Sequence, residues 1–240
     1  MNIEILPTAQ AARNYDFQGK TAVVIDVFRA TSVITTALNA GASAVIPVAT
    51  VDEAFSRADS LGRSEVLLCG ERNADPIPGF DMGNSPQLYL PERVARKTII
   101  LTTTNGTLAI DAARSADKVL VASMLNYRHV AALLVTDAVA DVVIVCSGTD
   151  GVPALEDSLC AAMLCATLQR VSSPNIVSDY ATSVSLLAQL DGFPYRLFPL
   201  SRHYQTLVDK GYKDDVLFCA NPDADFNLVP HLSPDGRLRP

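Results

Sequence analysis

Short β-branched runs recur along this chain at Thr21–Ile25, Ala44–Val48, Val66–Leu68, Thr98–Leu101, Val119–Ala122 and Val142–Val145, with apolar residues at helical spacing between them. No other feature constrains the fold as tightly. Strands alternating with helices need crossover connections, and those are right-handed and cover both faces of a sheet. The expected fold is therefore α/β: three layers, α/β/α, with a mostly parallel or mixed sheet. Local signals agree. Thr50-Val-Asp-Glu53 is a capping box that predicts a helix over Val51–Leu61, stopped at Gly62. Gly41 likewise stops the helix that follows Ser32, read as Val33–Asn39. A further helix is expected from Leu155 to about Arg170.

Lys20–Ala49 and Lys97–Ser123 each read strand, Thr-rich turn, helix, strand, a pattern consistent with an internal duplication of βαβ units. No Gly-, Ser- or Pro-rich linker divides the chain, so residues 1–240 are read as one domain. Towards the C-terminus, Ser178–Gln189 and Arg202–Lys210 look helical, and Phe226–Val229 is a candidate last strand. The polar tail over residues 233–240 is expected to be frayed.

Apolar residues make up 49% of the chain and charged ones 19%, enough for a large buried core. The net charge of −7, with no compensating basic stripe, argues against nucleic acid as a partner. The opening Met1-Asn-Ile-Glu4 has no basic n-region followed by an apolar core, and Asp137 and Asp141 interrupt the longest apolar stretch. These absences predict a soluble cytoplasmic protein without membrane contact, and they leave a homo-oligomer open. The cysteines, Cys69, Cys146, Cys160, Cys165 and Cys219, lack zinc-ligand spacing and read as small buried hydrophobes.

Four polar loops each follow a predicted strand. They are Asp26–Ser32; Gly70-Glu71-Arg72 leading to Asp81-Met-Gly-Asn84-Ser85-Pro86; Thr102-Thr-Thr-Asn105-Gly106-Thr107; and Ser147–Gly151 leading to Glu156-Asp157. Ligands of open α/β sheets bind at strand ends, so the loops are expected to converge. Carboxylates without clustered His or Cys favour Mg²⁺ over zinc. Arg29 and Arg72 are suited to gripping an anion, and Thr104–Thr107 to cradling phosphate oxygens. Each loop taken alone has an ordinary explanation. Thr31, Ser32 and Thr107 are natural helix caps, Glu71–Arg72 a solvated pair, and Glu156-Asp157 first-turn acids that suit a helix dipole. His129, His203 and His231 share no spacing pattern.

Taken together, Val-Ile-Asp26-Val-Phe-Arg29-Ala-Thr31-Ser32, Gly70-Glu71-Arg72, Phe80-Asp81-Met-Gly-Asn84-Ser85-Pro86, Thr102–Thr107 and Gly148–Gly151 with Glu156-Asp157 resemble the 2-phosphosulfolactate phosphatase family, from Ile3 to about Pro230. Ser201-Arg-His203 and Asp214-Asp215 fit its C-terminal region less sharply. Cys69 departs from the family's usual glycine, as does Val152-Pro153-Ala154 from its usual residues; neither change removes a charge. The resemblance implies an α/β/α, Mg²⁺-dependent phosphatase that hydrolyses (2R)-2-phospho-3-sulfolactate to 3-sulfolactate and phosphate on the route to coenzyme M. The substrate is then a small anionic phosphorylated metabolite. On chemical grounds Asp26, Glu71 and Asp157 are assigned to the metal, with Asp81 as substitute, and Asp26, Arg29 and Glu71 to catalysis. Arg29, Thr31, Ser32, Arg72, Asn84, Ser85, Thr104, Asn105, Gly106 and Thr107 are assigned to substrate, with Arg128 or Arg202 as further cations. The attacking group is either water or a carboxylate. An aspartyl-nucleophile site of the haloacid dehalogenase type wants an acid two positions after Asp26, where Phe28 stands. A non-catalytic phosphometabolite-binding module is the third reading.

Overall fold

A strand that is apolar along its length needs cover on both faces, and the computed structural model, which describes Met1–Pro240, supplies it. The strands are β1 (Asn2–Leu6), β2 (Thr21–Ile25), β3 (Ala44–Pro47), β4 (Val66–Arg72), β5 (Asp75–Pro76), β6 (Thr98–Thr102), β7 (Lys118–Ala122), β8 (Asp141–Cys146), β9 (Asn175–Ile176), β10 (His231–Leu232) and β11 (Leu238–Arg239). The helices are α1 (Ala9–Ala12), α2 (Ala30–Asn39), α3 (Val51–Leu61), α4 (Pro91–Val94), α5 (Gly106–Ala112), α6 (Tyr127–Thr136), α7 (Leu155–Val171), α8 (Asp179–Leu186), α9 (Arg202–Asp209) and α10 (Lys213–Cys219). All the strands join one mixed sheet in the order β5-β4-β6-β3-β11-β10-β7-β2-β8-β1-β9.

Alternate residues of each strand face opposite layers. Val23, Ile25 and Ile144 pack under α6, α7 and α8, while Ala22, Val24 and Val143 pack under α1, α2 and α5. On the other half of the sheet Ile46, Leu68 and Ile100 pack under α3. Helix α3 has the predicted ends. Glu53 N–H donates to Thr50 Oγ1 (3.1 Å), Ala49 N–H donates to Glu53 Oε2 (3.1 Å), and Gly62 N–H closes on the Ala58 carbonyl. All five cysteines are buried and free; burial pushes Cys69 up to about 12 and Cys165 up to about 11, so these thiols stay protonated.

The sheet consists of two parallel blocks, β4-β6-β3 and β7-β2-β8-β1, joined by the β10–β11 hairpin, which pairs antiparallel with β7 on one side and β3 on the other. The tail over 233–240 is therefore not frayed. Leu238 is fully buried, pairs with Val45 and belongs to the core under α2 and α5. Phe226–Val229 is not a strand but runs beside β7, with Phe226 N–H donating to the Leu125 carbonyl.

The two repeat-like units cross the junction in opposite senses. β2–α2–β3 leaves one block for the other, and β6–α5–β7 returns. The N-termini of α2 and α5 are thereby brought side by side. They can approach so closely because α5 begins with glycine: a Cβ on Gly106 would lie 2.4 Å from Ala30 Cβ and 2.6 Å from Asp26 Oδ2. No helix is long and apolar enough to cross a membrane.

Candidate active site

β2, β7 and β8 end level, with Ile25 opposite Ala122 and Cys146, so Asp26 and Ser147 leave the sheet together. The chain at Asp26 turns immediately into α2. Thr31 Oγ1 donates to the Asp26 carbonyl (2.8 Å) and accepts from Asp26 N–H (3.0 Å), while Ala30 N–H donates to Asp26 Oδ1 (3.2 Å). Ser32 Oγ donates to the Val27 carbonyl (2.9 Å). The helix starts at Ala30, not Val33, so both hydroxyls lie fully buried within its first turn. They hold the loop and are not among the residues that line the cavity above it.

Burial and the nearby Glu71 charge push the Asp26 carboxyl up to about 6, against the lowering influence of His203 and of hydrogen bonds from Ala30 and Ser147. Glu71 is supplied by the end of β4. Gly70, at φ +143, lets that strand pass where a Cβ would sit 1.9 Å from the Thr102 carbonyl oxygen. Glu71 then bridges two loops: Thr104 N–H donates to Oε1 (2.8 Å) and Ala74 N–H to Oε2 (2.7 Å).

A cavity of about 590 Å³ opens over these groups. Of the residues assigned from sequence, Asp26, Arg29, Glu71, Asn84, Thr104, Asn105 and Arg202 line it. Asn84 is 5% exposed, and its Oδ1 is the one buried side-chain polar atom in the protein without a partner. A buried unpaired amide oxygen is costly, and a donor in the cavity, such as a bound water, would satisfy it.

Other assigned residues lie outside the cavity lining. Arg72 turns away, donating to the Glu71 carbonyl (2.8 Å) and to Thr102 Oγ1 (2.8 Å). Ser85 donates to Asp215 Oδ1 (2.6 Å), and Thr107 and Thr103 bond to each other at the start of α5. Gly106 packs closely against Asp26 and Ala30 and does not line the cavity. Asp157 stands behind the wall: Val27 N–H, Ser147 Oγ and Gly148 N–H all donate to it (2.9, 3.0 and 3.1 Å), tying the loops after β2 and β8 together. Burial first, then Asp26 and Glu156, raise its pKa well above the usual range. Asp81 accepts both Arg63 contacts (2.8 Å each) and Leu68 N–H (2.7 Å), away from the cavity.

Arg29 lines the cavity but is already engaged. It donates to Asp215 Oδ2 (2.6 Å) and the Ala74 carbonyl (3.0 Å), and its guanidinium carbon lies 4.2 Å from the Tyr212 ring centre. Lys210, another lining cation, pairs with Asp75 (2.9 Å). Arg202 lines the cavity as an exposed cation with no ion pair. Arg128 does not line it and stacks on Tyr127 instead.

The residue pair undervalued in the sequence is Glu156 with His203. Nδ1 of His203 lies 3.0 Å from Glu156 Oε1, and Ser201 Oγ donates to Oε2 (2.6 Å). Glu156-Asp157 and Ser201-Arg-His203 each stood out in the sequence, but no spacing relation tied the one to the other.

Comparison with known proteins decides the family. A family model described as 2-phosphosulpholactate phosphatase matches residues 6–234. The chain belongs to the 2-phosphosulfolactate phosphatase family. It is 39% identical over 232 residues to a protein of Caldanaerobacter subterraneus subsp. tengcongensis, covering 97% of this chain and 95% of that one. It is 42% identical over 214 residues to a protein of Thermotoga petrophila, covering 89% of each, and 40% identical over 223 residues to one of Clostridium perfringens, covering 92% and 89%. All three are named probable 2-phosphosulfolactate phosphatase. Membership of the 2-phosphosulfolactate phosphatase family makes the chain a phosphatase, that is, a phosphoric monoester hydrolase.

Proposed function

We propose that this chain hydrolyses the phosphate ester of a small acidic 2-hydroxy acid, of the type (2R)-2-phospho-3-sulfolactate + water → 3-sulfolactate + phosphate. The observation that carries the reading is the cavity itself, walled by loops from both blocks of the sheet and holding Asp26, Glu71, the unpaired Asn84 amide and the unpaired Arg202 cation. The Asn84 amide nitrogen can donate to an ester or carboxylate oxygen, while its unpaired Oδ1 can accept from a water held with the substrate. Arg202, at the rim, suits a sulfonate, which has no proton to lose and needs donors.

No three His, Cys, Asp or Glu side chains are clustered as a protein cage. Mg²⁺ usually takes only one or two carboxylates and completes its shell with water and substrate phosphate. Asp26 and Glu71, both at the cavity wall, fit that pattern and are the residues that would hold it. Bound there, the ion would neutralise phosphate charge in a cavity whose cations Arg29 and Lys210 already have partners. Asp26 and Glu71 keep their orientation through Ala30, Thr104 and Ala74 N–H groups, so little reorganisation accompanies substrate binding. On this reading the protein works in the cytoplasm, on the route to coenzyme M where the host has one.

Phosphate release from a panel of 2-phosphosulfolactate, 2-phospholactate and phosphoglycerate, with Mg²⁺ or with EDTA, tests the proposal. The expected result is strongest turnover of the sulfonate ester, lost in EDTA. Binding of these esters without phosphate release, at any metal supplied, would favour a non-catalytic module.

A further inference from the structure

We propose that His203, held by Glu156, protonates the alcohol oxygen as it leaves phosphorus. This rests on the phosphomonoesterase reading above and adds a residue and a role to it.

The geometry is that of an oriented imidazole. His203 lies in the first turn of α9 and faces the same cavity as Asp26. Its Nδ1 meets Glu156 Oε1 at 3.0 Å and Thr149 Oγ1 at 3.4 Å; Nε2 has no partner in the protein. A carboxylate can only accept, so the proton on Nδ1 is fixed and Nε2 is the nitrogen free to act. Glu156 is itself clamped. It is 1% exposed, and its second oxygen takes the Ser201 hydroxyl at 2.6 Å. Phe28 stands edge-on to the imidazole, ring centres 6.2 Å apart. A buried carboxylate, bonded through one oxygen to a hydroxyl and through the other to a ring that opens on a cavity, is more than a structural ion pair requires.

The charge environment agrees. The groups facing the ring are Glu156 on α7 and Asp26 and Arg29 on the loop after β2. Burial is the largest influence and lowers the imidazole pKa. The Glu156 bond and charge, with Asp26, outweigh it, and the net direction is upward. Nε2 therefore holds its proton further into the neutral range than a free histidine does.

The chemistry needs such a group. The leaving oxygen of a 2-phospho acid belongs to an aliphatic alcohol, and an alkoxide is a poor leaving group. As the ester P–O bond breaks, its electron pair goes to that oxygen and the Nε2 proton follows, giving the free alcohol. Water supplies the oxygen of the new P–O bond, and one of its protons returns to Nε2. The balance is ester plus water to alcohol plus phosphate.

A leaving group that needs no proton separates this role from a structural one. Phosphoenolpyruvate differs from 2-phospholactate only by a double bond, which makes the departing oxygen far more acidic; 4-nitrophenyl phosphate is a second such probe. In His203→Gln, kcat for 2-phospholactate should fall by about 10²–10⁴. For the two activated esters it should fall less than tenfold, with KM little changed in each case. The wild-type decline of kcat at alkaline pH should vanish in His203→Gln and move to lower pH in Glu156→Gln, which removes the charge that raises the imidazole. His203→Asn repeats the test if the glutamine variant does not fold. Equal losses on alkyl and activated esters in a folded variant, or an alkaline limb unmoved by both substitutions, would overturn the assignment. No phosphate release from any ester by the wild-type enzyme would instead overturn the phosphatase reading beneath it.

Discussion

Gly106→Ala sets two effects of known size against each other. Gly106 is the first residue of α5, and its φ is not in the left-handed region, so alanine is conformationally acceptable there. Helix propensity alone would make the variant more stable by up to about 1 kcal/mol. The added methyl, however, would sit 2.4 Å from Ala30 Cβ and 2.6 Å from Asp26 Oδ2. Carbon atoms rest at about 3.5–4.0 Å, so α5 and α2 would have to separate by about 1 Å. Neither neighbour is a flexible side-chain end: Ala30 Cβ moves only with its backbone, and Asp26 is held by Ala30 N–H and the loop. Overpacking of this kind costs about 1–3 kcal/mol, which exceeds the propensity gain. A displacement of about 1 Å at a reacting group costs on the order of 10² in rate. The variant should therefore have a lower urea midpoint and about a hundredfold lower kcat/KM for phosphate release. A midpoint at or above wild type with kcat/KM within about twofold would refute the steric argument.

Asp26→Asn should abolish turnover yet stabilise the metal-free protein. The folded carboxyl titrates at about 6 against 3.8 unfolded, so the native state binds its proton more tightly. Wild type then loses stability as pH rises from about 4 to 6, and the asparagine variant escapes roughly 2–3 kcal/mol of that loss at pH 8. Urea midpoints across this range in EDTA check it; near-wild-type activity with Mg²⁺ supplied would sink the role of Asp26. Asp215→Ala strands the buried Arg29 guanidinium and should cost about 3–5 kcal/mol; a loss below about 1 kcal/mol by urea unfolding would show the pair to be dispensable. Deleting residues 231–240 leaves β3 and β7 with open edges and should abolish soluble, folded monomer by gel filtration and circular dichroism. Wild-type melting of the truncated chain would contradict the structural role of the hairpin.

Much of the sheet was legible because continuous apolar runs such as Thr21–Ile25 and Val142–Val145 have few alternatives to a doubly covered strand. The C-terminal hairpin was not: its strands are two residues long, and Leu238 stands between two arginines, so no periodicity marks it. Within the site, residue type pointed to the right loops but not to side-chain direction. Glu156 and Asp157 are neighbours on one helical turn, about 100° apart around the axis. Which of them faces the cavity depends on how α7 is rotated against β8, and that is set by packing far from both. The same holds for Arg29 and Arg72. Asp215, which neutralises Arg29, lies 186 positions away in the chain, and only the folded sheet brings it there.

The hairpin also has a consequence in time. Synthesis runs from the N-terminus, and the residues that join the two blocks of the sheet come after every strand of both blocks in the chain. Until then β3 and β7 are unpaired edges, the kind of surface that other nascent chains can extend. Closure of the sheet therefore waits for a segment made after both of its blocks. A ribosome stalled short of Leu238 would release a chain with its catalytic loops present and no strand hydrogen-bonded between its two blocks.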